Sequence, residues 1–323
     1  MRIINLFDMK LKDIISIVPL IKEQGFDAIQ VSPLQTTKDE EELDWDKWWI
    51  LYQPIDFNIS NKRIGSSLEL RKLCNFAHKY GLYIIADIIV GHMAGKDNGE
   101  VYPNSKIDKE FVDNKNNWRS FLYVDNWDDR YQVINRSMGL PGLNHNSVIV
   151  QDKIINMINN YIDLGVDGFR IDAAKSIGLE DEGCNFFNNI TYNMKRNSNG
   201  ELVKIVYGEV ICSSNDLIDR YSKYMKVLTN YNYVGYNNND AVIPFIEDKD
   251  NWYDNNISGL GWTNNLSTRE IVRRYSDLTR IYDNTLFYPR ISKDNNKEFE
   301  RAWLADNIRE ANKVKIKSLR KLG

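Results

Sequence analysis

GVDGFRIDAAK, residues Gly165 to Lys175, holds a helix stop, a buried strand and a carboxylate at the strand's carboxyl end. Upstream of it Val150, Ile154, Met157, Ile158, Tyr161 and Leu164 recur at helical spacing. Gly165 follows the last of them, where a left-handed C-cap residue is wanted. Gly168 to Ala174 then reads as a strand, with Arg170 and Asp172 on one face and Phe169 and Ile171 on the other. Two opposite charges on an apolar strand are costly to bury unless they pair or face a cleft. Both readings stay open here: an Arg170–Asp172 pair that only steadies the strand, or a charged face turned toward a site.

Working outward, other segments of strand length are Ile3 to Phe7, Ala28 to Val31, Leu82 to Val90, Val203 to Tyr207 with Gly208 and Glu209 at its end, a weaker one near Met225 to Thr229, Ala241 to Ile246, and Thr285 to Tyr288. Helical patterns lie between them. Ile14, Val18 and Ile21 share one face of the first, which Gly25 closes and Pro19 should kink or begin. Ser66-x-x-Glu69 is a capping box for the helix through Leu70, Leu73, Phe76 and Ala77. Asn185 to Lys195 is helical, Ser213-x-x-Asp216 caps a helix to about Tyr224, Ser267-x-x-Glu270 caps one through Ile271, Tyr275, Leu278 and Ile281, and residues 299 to 322 form a last one.

Eight strands alternating with helices imply a parallel sheet with right-handed crossovers, and eight units imply a closed (β/α)8 TIM barrel. A doubly wound open sheet is the alternative. No GxGxxG or GxxxxGK[ST] follows a strand, so the nucleotide-binding versions of that fold lack support. Two stretches interrupt the alternation. Gln35 to Arg63 reads as a loop rich in acids and aromatics, with Trp45, Trp48, Trp49, Tyr52 and Phe57. From Gly91 to Asn146 no period is sustained, which is too long for a structureless connection; residues 93–145 therefore read as a small inserted domain, with 1–92 and 146–323 forming the barrel. Only about a dozen residues, Asn230 to Ala241, join the sixth and seventh strands, so the sixth helix is expected to be reduced.

The chain has 323 residues and a formal net charge of −3 with both signs interspersed, which gives no sign of a nucleic-acid or membrane partner. The basic run Lys313 to Lys321 reads as a solvated helix face. Cys74, Cys184 and Cys212 are odd in number and free of CxxC spacing, so neither a disulfide framework nor a zinc site is indicated. Reduced surroundings fit best. With no secretory leader or membrane-length apolar run, the expected location is cytoplasmic. Asparagine clusters such as Asn237 to Asn239 read as polar loops.

Charges break the apolar strands near their carboxyl ends: Asp87, Arg170 with Asp172, Glu209, and Glu247, Asp248 and Asp250 after Phe245-Ile246. Closure would bring these ends to one face, where barrel active sites are built. Crowding raises some of their pKa values, and the adjacent Arg170 is expected to hold Asp172 ionised. One ionised and one protonated carboxyl group side by side is what retaining glycoside hydrolysis needs. The aromatic loop suits flat sugar faces, although aromatics more often serve packing.

At these positions the motifs resemble the α-amylase family of retaining glycoside hydrolases (glycoside hydrolase family 13), over nearly the whole chain. GFRIDAAK resembles the segment that carries the family's nucleophile, which implies that role for Asp172 with Arg170 orienting it. VYGEV looks like the acid/base motif and implies Glu209 as proton donor. WWILYQPIDF is similar to the segment whose tyrosine stacks on the sugar at the cleavage point, here Tyr52 with Trp49 and Gln53 beside it. DIIVGH implies a supporting role for Asp87 and a substrate hydrogen bond for His92. GLPGLN resembles the motif closing the family's inserted domain, and FIEDKD the segment whose last aspartate stabilises the transition state, here Asp250, with Asp240 as a rival. Lys175 either contacts a leaving-group sugar, as the resemblance implies, or merely ends its strand.

The departures are specific. Lys249 stands where the family usually has histidine, and its charge would shift the pH behaviour. Gly91 and Gly142 stand where calcium-binding members carry asparagine and aspartate, which leaves calcium an open cofactor whose usual ligands are replaced. The sequence printed here ends after the eighth helix, without the antiparallel β domain expected from the resemblance. The implied partner is an α-glucan, starch or glycogen in type, cleaved at α-1,4 bonds. The alternative is a glucan-binding protein with impaired catalysis.

Overall fold

Apolar runs too short for helices and bounded by turn residues become the inner wall of the computed structural model, which describes residues 1–39, 45–211, 214–230, 240–250, 266–289, 301–304 and 306–314. In chain order the strands are β1 Arg2–Leu6, β2 Ala28–Val31, β3 Gln35–Thr37, β4 Pro54–Asn61, β5 Gly65–Ser66, β6 Tyr83–Ile88, β7 Gly168–Ile171, β8 Lys204–Glu209, β9 Lys226–Asn230, β10 Val242–Phe245 and β11 Thr285–Phe287. The described α-helices are α1 Leu11–Glu23, α2 Ser67–Lys79, α3 Lys109–Asp113, α4 Arg130–Asn135, α5 Val148–Asp163, α6 Phe186–Asn193, α7 Asn215–Tyr221, α8 Thr268–Ile281 and α9 Asp306–Lys313.

Eight of the strands close in the order β1-β11-β10-β9-β8-β7-β6-β2, all parallel. Because β1 pairs with both β2 and β11, the sheet has no edge, and the open doubly wound alternative falls. Two apolar layers result. Ile3, Ala28, Ile85, Tyr207, Leu228, Ile243, Phe245 and Leu286 fill the barrel. The outward-facing residues join the helices in the larger core, in which Ile14, Val18, Ile21, Leu70, Leu73, Ala77, Ile154, Met157, Ile158 and Tyr161 are buried as their spacing requires.

Inside the barrel, stepping two residues toward the carboxyl end changes the chemistry. Ile3 gives way to Asn5, Ala28 to Gln30, Ile85 to Asp87, Gly168 to Arg170 and Tyr207 to Glu209. One end is thus sealed by hydrocarbon and the other carries the polar groups. A local irregularity in the β7–β8 pairing between Phe169 and Arg170 sets Arg170 opposite Tyr207.

The helix ends follow their predicted chemistry. Ser66 and Glu69 form a reciprocal capping box, and the Ser267 side chain accepts from the Glu270 amide. Gly165 takes φ +103° and donates its amide to the Ile162 carbonyl at 2.9 Å, closing α5. A side chain there would also meet Cys74, whose Cβ lies 2.9 Å from the position a Cβ would occupy.

Several local expectations need correction. Pro19 lies inside α1, so it does not mark the first turn. β7 stops at Ile171 instead of reaching Ala174, because Ala173 turns left-handed at φ 45°. The N-cap of α7 is Ser214, whose side chain accepts from the Leu217 amide; Ser213 lies outside the described residues. Gln35 to Arg63 is not simply a loop: β3, β4 and β5 form an antiparallel sheet, and Trp45–Tyr52 is 3-10 helical on either side of a kink at Lys47. Cys74 and Cys184 are free and buried, whereas Cys212, Asn237 to Asn239 and most of the stretch expected to lack the sixth helix lie outside the described residues. Of the expected last helix, Arg301–Leu304 is a 3-10 turn and α9 is regular.

Between β6 and α5 the chain leaves the barrel. This excursion is held by short helices α3 and α4 and by bridges His92↔Gly142, Trp118↔Leu143 and Tyr123↔Ser137. Its aromatics pack edge to face from Phe57 of β4 through Phe111 to Trp118, with ring centroids 5.9 and 5.5 Å apart. Among the described residues no helix is long and apolar enough to cross a membrane.

Candidate active site

Closure places the strand-end charges together. Asp87 of β6 and Arg170 of β7 are direct cross-strand partners. The Arg170 Nη1 donates to Asp87 Oδ1 and to Asp172 Oδ1, each at 2.7 Å, while Nη2 lies 3.0 Å from Glu209 Oε2. One buried guanidinium therefore serves three carboxylates from three strands. The bland reading, a private Arg170–Asp172 pair, is too small for this arrangement. Asp87 is fully buried and also accepts from the Tyr52 hydroxyl at 2.9 Å. Glu209 accepts from the Ala173 amide at 2.9 Å, a bond made available by the left-handed turn at Ala173.

A cleft of about 590 Å³ opens above this cluster. Its lining includes the predicted Tyr52, Trp49, Gln53, Asp172, Lys175, Glu209 and Asp250. Asp87, Arg170 and His92 stand one layer back. The His92 Nε2 is 2.9 Å from the Tyr52 carbonyl oxygen, and burial lowers its pKa to about 4, so the neutral ring donates there. His92 thereby steadies the Tyr52 backbone. Lys175 does not end its strand but sits in the turn beyond it, with Nζ donating to the Ile211 carbonyl at 3.1 Å and lying 4.8 Å from the Trp127 ring centre.

Strand polarity places the two candidates for the last acid at opposite ends of β10. Asp240 precedes β10 and is exposed, at the amino end of the strand, whereas Asp250 follows β10 and lines the cleft. Lys249 Nζ lies 2.8 Å from Asp250 Oδ2 and 4.5 Å from the centre of the Tyr52 ring. Phe7 stacks on Tyr52 at 6.1 Å, so the ring is held between an apolar and a cationic neighbour. Also on the cleft wall are Trp48, Trp127, Met138, Gly139, Leu140 and Ile211, to which sequence reasoning assigned no site role. The signal for Trp127 and Met138 to Leu140 was their place in the excursion that closes at GLPGLN. A second cleft of about 580 Å³ between α8 and α9 lacks such convergence; its Arg273 is paired with Glu270 and Asp277.

The electrostatics correct one expectation. Burial raises the Asp172 pKa, Arg170 pulls it down, and the charges of Glu209 and Asp87 help push it up to about 7. Arg170 divides its charge among three acids and does not by itself hold Asp172 ionised. Burial also opposes ionisation of Glu209, but Arg170, Lys249 and the Ala173 amide outweigh it and bring Glu209 down to about 2. Within this coupled pair Asp172 is shifted upward and Glu209 downward.

Oxygens of Glu209, Asp248 and Asp250 lie within 4.8 Å of one another, a spacing that a cation could bridge. The Lys249 ammonium already stands against this group, and it is raised by Asp250 and Glu209 despite its burial. The place implied for calcium, near Gly91 and Gly142, carries no carboxylate at either position.

Comparison with known proteins gives a consistent family. Residues 8–245 match the family model described as alpha amylase, catalytic domain. An alpha-amylase of Clostridium acetobutylicum is 34% identical over 232 residues, 69% of this chain and 30% of that protein. An alpha-amylase-related protein of Drosophila auraria is 29% identical over 229 residues, 68% of this chain and 45% of that protein. The aligned part thus spans less than half the length of either relative. Wild-type alpha-amylase I of Eisenia fetida superposes with a TM-score of 0.77 at 18% identity, covering 96% of this chain and 77% of that one. A mutant of the same Eisenia fetida enzyme, solved with maltohexaose, gives 0.73 at 18% identity, covering 94% and 70%.

Proposed function

The chain belongs to the alpha-amylase family, and on that premise we propose that it is a retaining glycoside hydrolase cleaving α-1,4-glucosidic bonds of starch- or glycogen-type glucans. The observation that carries the proposal is the single Arg170 guanidinium spanning Asp172 and Glu209 in the floor of an aromatic-walled cleft. Asp172 attacks the anomeric carbon; Glu209 protonates the departing oxygen and then activates water. Asp250, held by Lys249, favours the oxocarbenium-like state. Tyr52 carries the sugar at the cleavage point, with Trp49 and Gln53 beside it and Lys175 toward the leaving group. Asp87, Arg170 and His92 position these groups from behind. We also take residues 93–145 as an inserted domain, and place the protein in the cytoplasm, where the thiols of Cys74 and Cys184 stay reduced.

The resting proton belongs on Asp172, but the reaction needs it on Glu209. A bound glycosidic bond supplies the reason for transfer. Its oxygen offers Glu209 an acceptor, while the anomeric carbon rewards an ionised Asp172. Since kcat/KM reports the free enzyme, its profile follows the resting pair. Above about 7 the pair loses its only proton, and kcat/KM falls roughly tenfold per pH unit. Below about 2 both groups are protonated and no nucleophile is left. Measured on maltoheptaose, whose leaving sugar needs the proton, across neutral and alkaline pH, a plateau continuing well past the expected alkaline limb would count against the shared-proton site.

A second reading has one observation in its favour. The Lys249 ammonium rests over the Tyr52 ring, the surface on which a sugar would stack. A binding protein that has lost turnover would tolerate this. Purified protein incubated with maltoheptaose decides between them: shorter products born as α-anomers support the hydrolase. Calorimetric binding without products favours the second reading. Neither binding nor products overturns both.

A further inference from the structure

We propose that the Arg119 guanidinium takes the place of calcium as the cation tying the excursion between β6 and α5 to the barrel, and that this junction needs no divalent ion. Arg119 belongs to the excursion and is 9% exposed. Its Nη1 donates to the carbonyls of Ser176 at 2.7 Å, Ile134 at 3.2 Å and Val133 at 3.4 Å. Its Nη2 donates to the Gly91 carbonyl at 3.0 Å, and its own amide to the Gly142 carbonyl at 2.9 Å. Four segments meet there: the chain just after β6, the turn after β7, the last turn of α4, and the returning leg of the excursion.

Converging carbonyl oxygens are the ligands that a hard cation takes. Here they face a guanidinium instead. Among the described residues Arg119 pairs with no carboxylate, and the hydrogen-bond partners of its guanidinium are backbone carbonyls. Burial lowers its pKa only to about 10, which leaves it cationic at neutral pH. A calcium ion at this place would meet N–H donors on its oxygens and a resident positive charge.

The glycine at 142 completes the fit. A Cβ built on Gly142 would fall 2.5 Å from Nε, 2.6 Å from Nη2 and 2.8 Å from Cζ of Arg119. A side chain at 142 and the guanidinium therefore exclude each other. A Cβ on Gly91 would approach Ser176 Oγ at 3.2 Å. The missing side chain at Gly142 is the space that Arg119 fills, while Gly91 offers Arg119 its carbonyl.

Metal analysis and calorimetry on the purified full chain test this independently of any activity. The wild-type protein should carry no stoichiometric calcium, and its Tm should be the same in excess chelator and in millimolar calcium. Arg119→Ala should lower the Tm by about 5 °C or more, since four carbonyls lose their donor. In the double variant Arg119→Ala with Gly142→Asp, calcium should raise the Tm. A wild-type Tm that drops on chelation, or calcium bound one to one, would overturn the proposal without any variant having to fold. Failure of calcium to raise the Tm of a folded double variant would also overturn it.

Discussion

Asp172→Asn should lower kcat on maltoheptaose by roughly 10⁴-fold or more while the protein stays folded. The amide keeps the volume and one acceptor for Arg170, so packing is preserved and only nucleophilicity goes. Glu209→Gln should cost roughly 10²- to 10⁴-fold on the same substrate, the range of lost general acid catalysis. Its loss should be much smaller on a glycoside with an activated aryl leaving group, which departs without a proton. Equal losses on both substrates would remove Glu209 as the acid. The Asp172 variant also makes a stability prediction whose sign can be worked out. The folded pKa of about 7 stands above the ordinary 3.8, so between these values the native state binds more protons than the unfolded chain. Stability from this group is therefore present at low pH and lost as pH rises through about 7. Asparagine removes that dependence. The variant's Tm relative to wild type should rise between mildly acidic and mildly alkaline buffer; a difference that stays flat or falls would show that Asp172 is ionised at rest.

The barrel was legible because its strands are covered on both faces and so read as unbroken apolar runs. Ala28 to Val31 is observed with the expected bounds, and the other barrel strands with ends displaced by a few residues. Where one face meets water the signal weakened. Pro54–Asn61 alternates Ile55, Phe57 and Ile59 with polar residues, a half-buried strand pattern hidden inside an acidic, tryptophan-rich stretch. The end of β7 was misjudged for another reason. Nothing in the letters announces that Ala173 turns left-handed, and that turn is what delivers an amide to Glu209.

Carboxylates at the rim were visible as charges breaking apolar strands, which is why Asp87, Asp172, Glu209 and the group Glu247, Asp248 and Asp250 could be named from order alone, with Asp250 singled out only by the resemblance. Their sharing of one guanidinium was not visible. Adjacency in sequence suggested that Arg170 belongs to Asp172, yet its cross-strand neighbours take as much of it. The charge state of Asp172 depends on that division, a property of the closed ring and not of any local motif. Arg119 escaped notice for the same reason. Its partners are backbone carbonyls from distant segments, and carbonyls carry no sequence signature.

Arg170→Met should be the most damaging single change to both stability and turnover. Methionine matches much of the volume but leaves Asp87, Asp172 and Glu209 without their common partner, and removing one member of a buried ion pair costs about 3–5 kcal/mol. That corresponds to a Tm loss of roughly 5–15 °C at neutral pH. The direction with pH follows from linkage. Without the cation the folded pKa values of the three acids rise, so the variant's native state takes up protons that the unfolded chain does not. Its stability deficit should therefore shrink as pH falls toward 5 and widen toward 8, the reverse of an effect caused by a packing void. Arg170→Lys should recover part of the Tm but little of kcat, because one ammonium cannot span three carboxylates as the planar fork does. Scanning calorimetry at acidic and neutral pH, with kcat on maltoheptaose alongside, measures both. A deficit that does not change with pH, or full turnover in the lysine variant, would mean that the three acids are not held by a common cation.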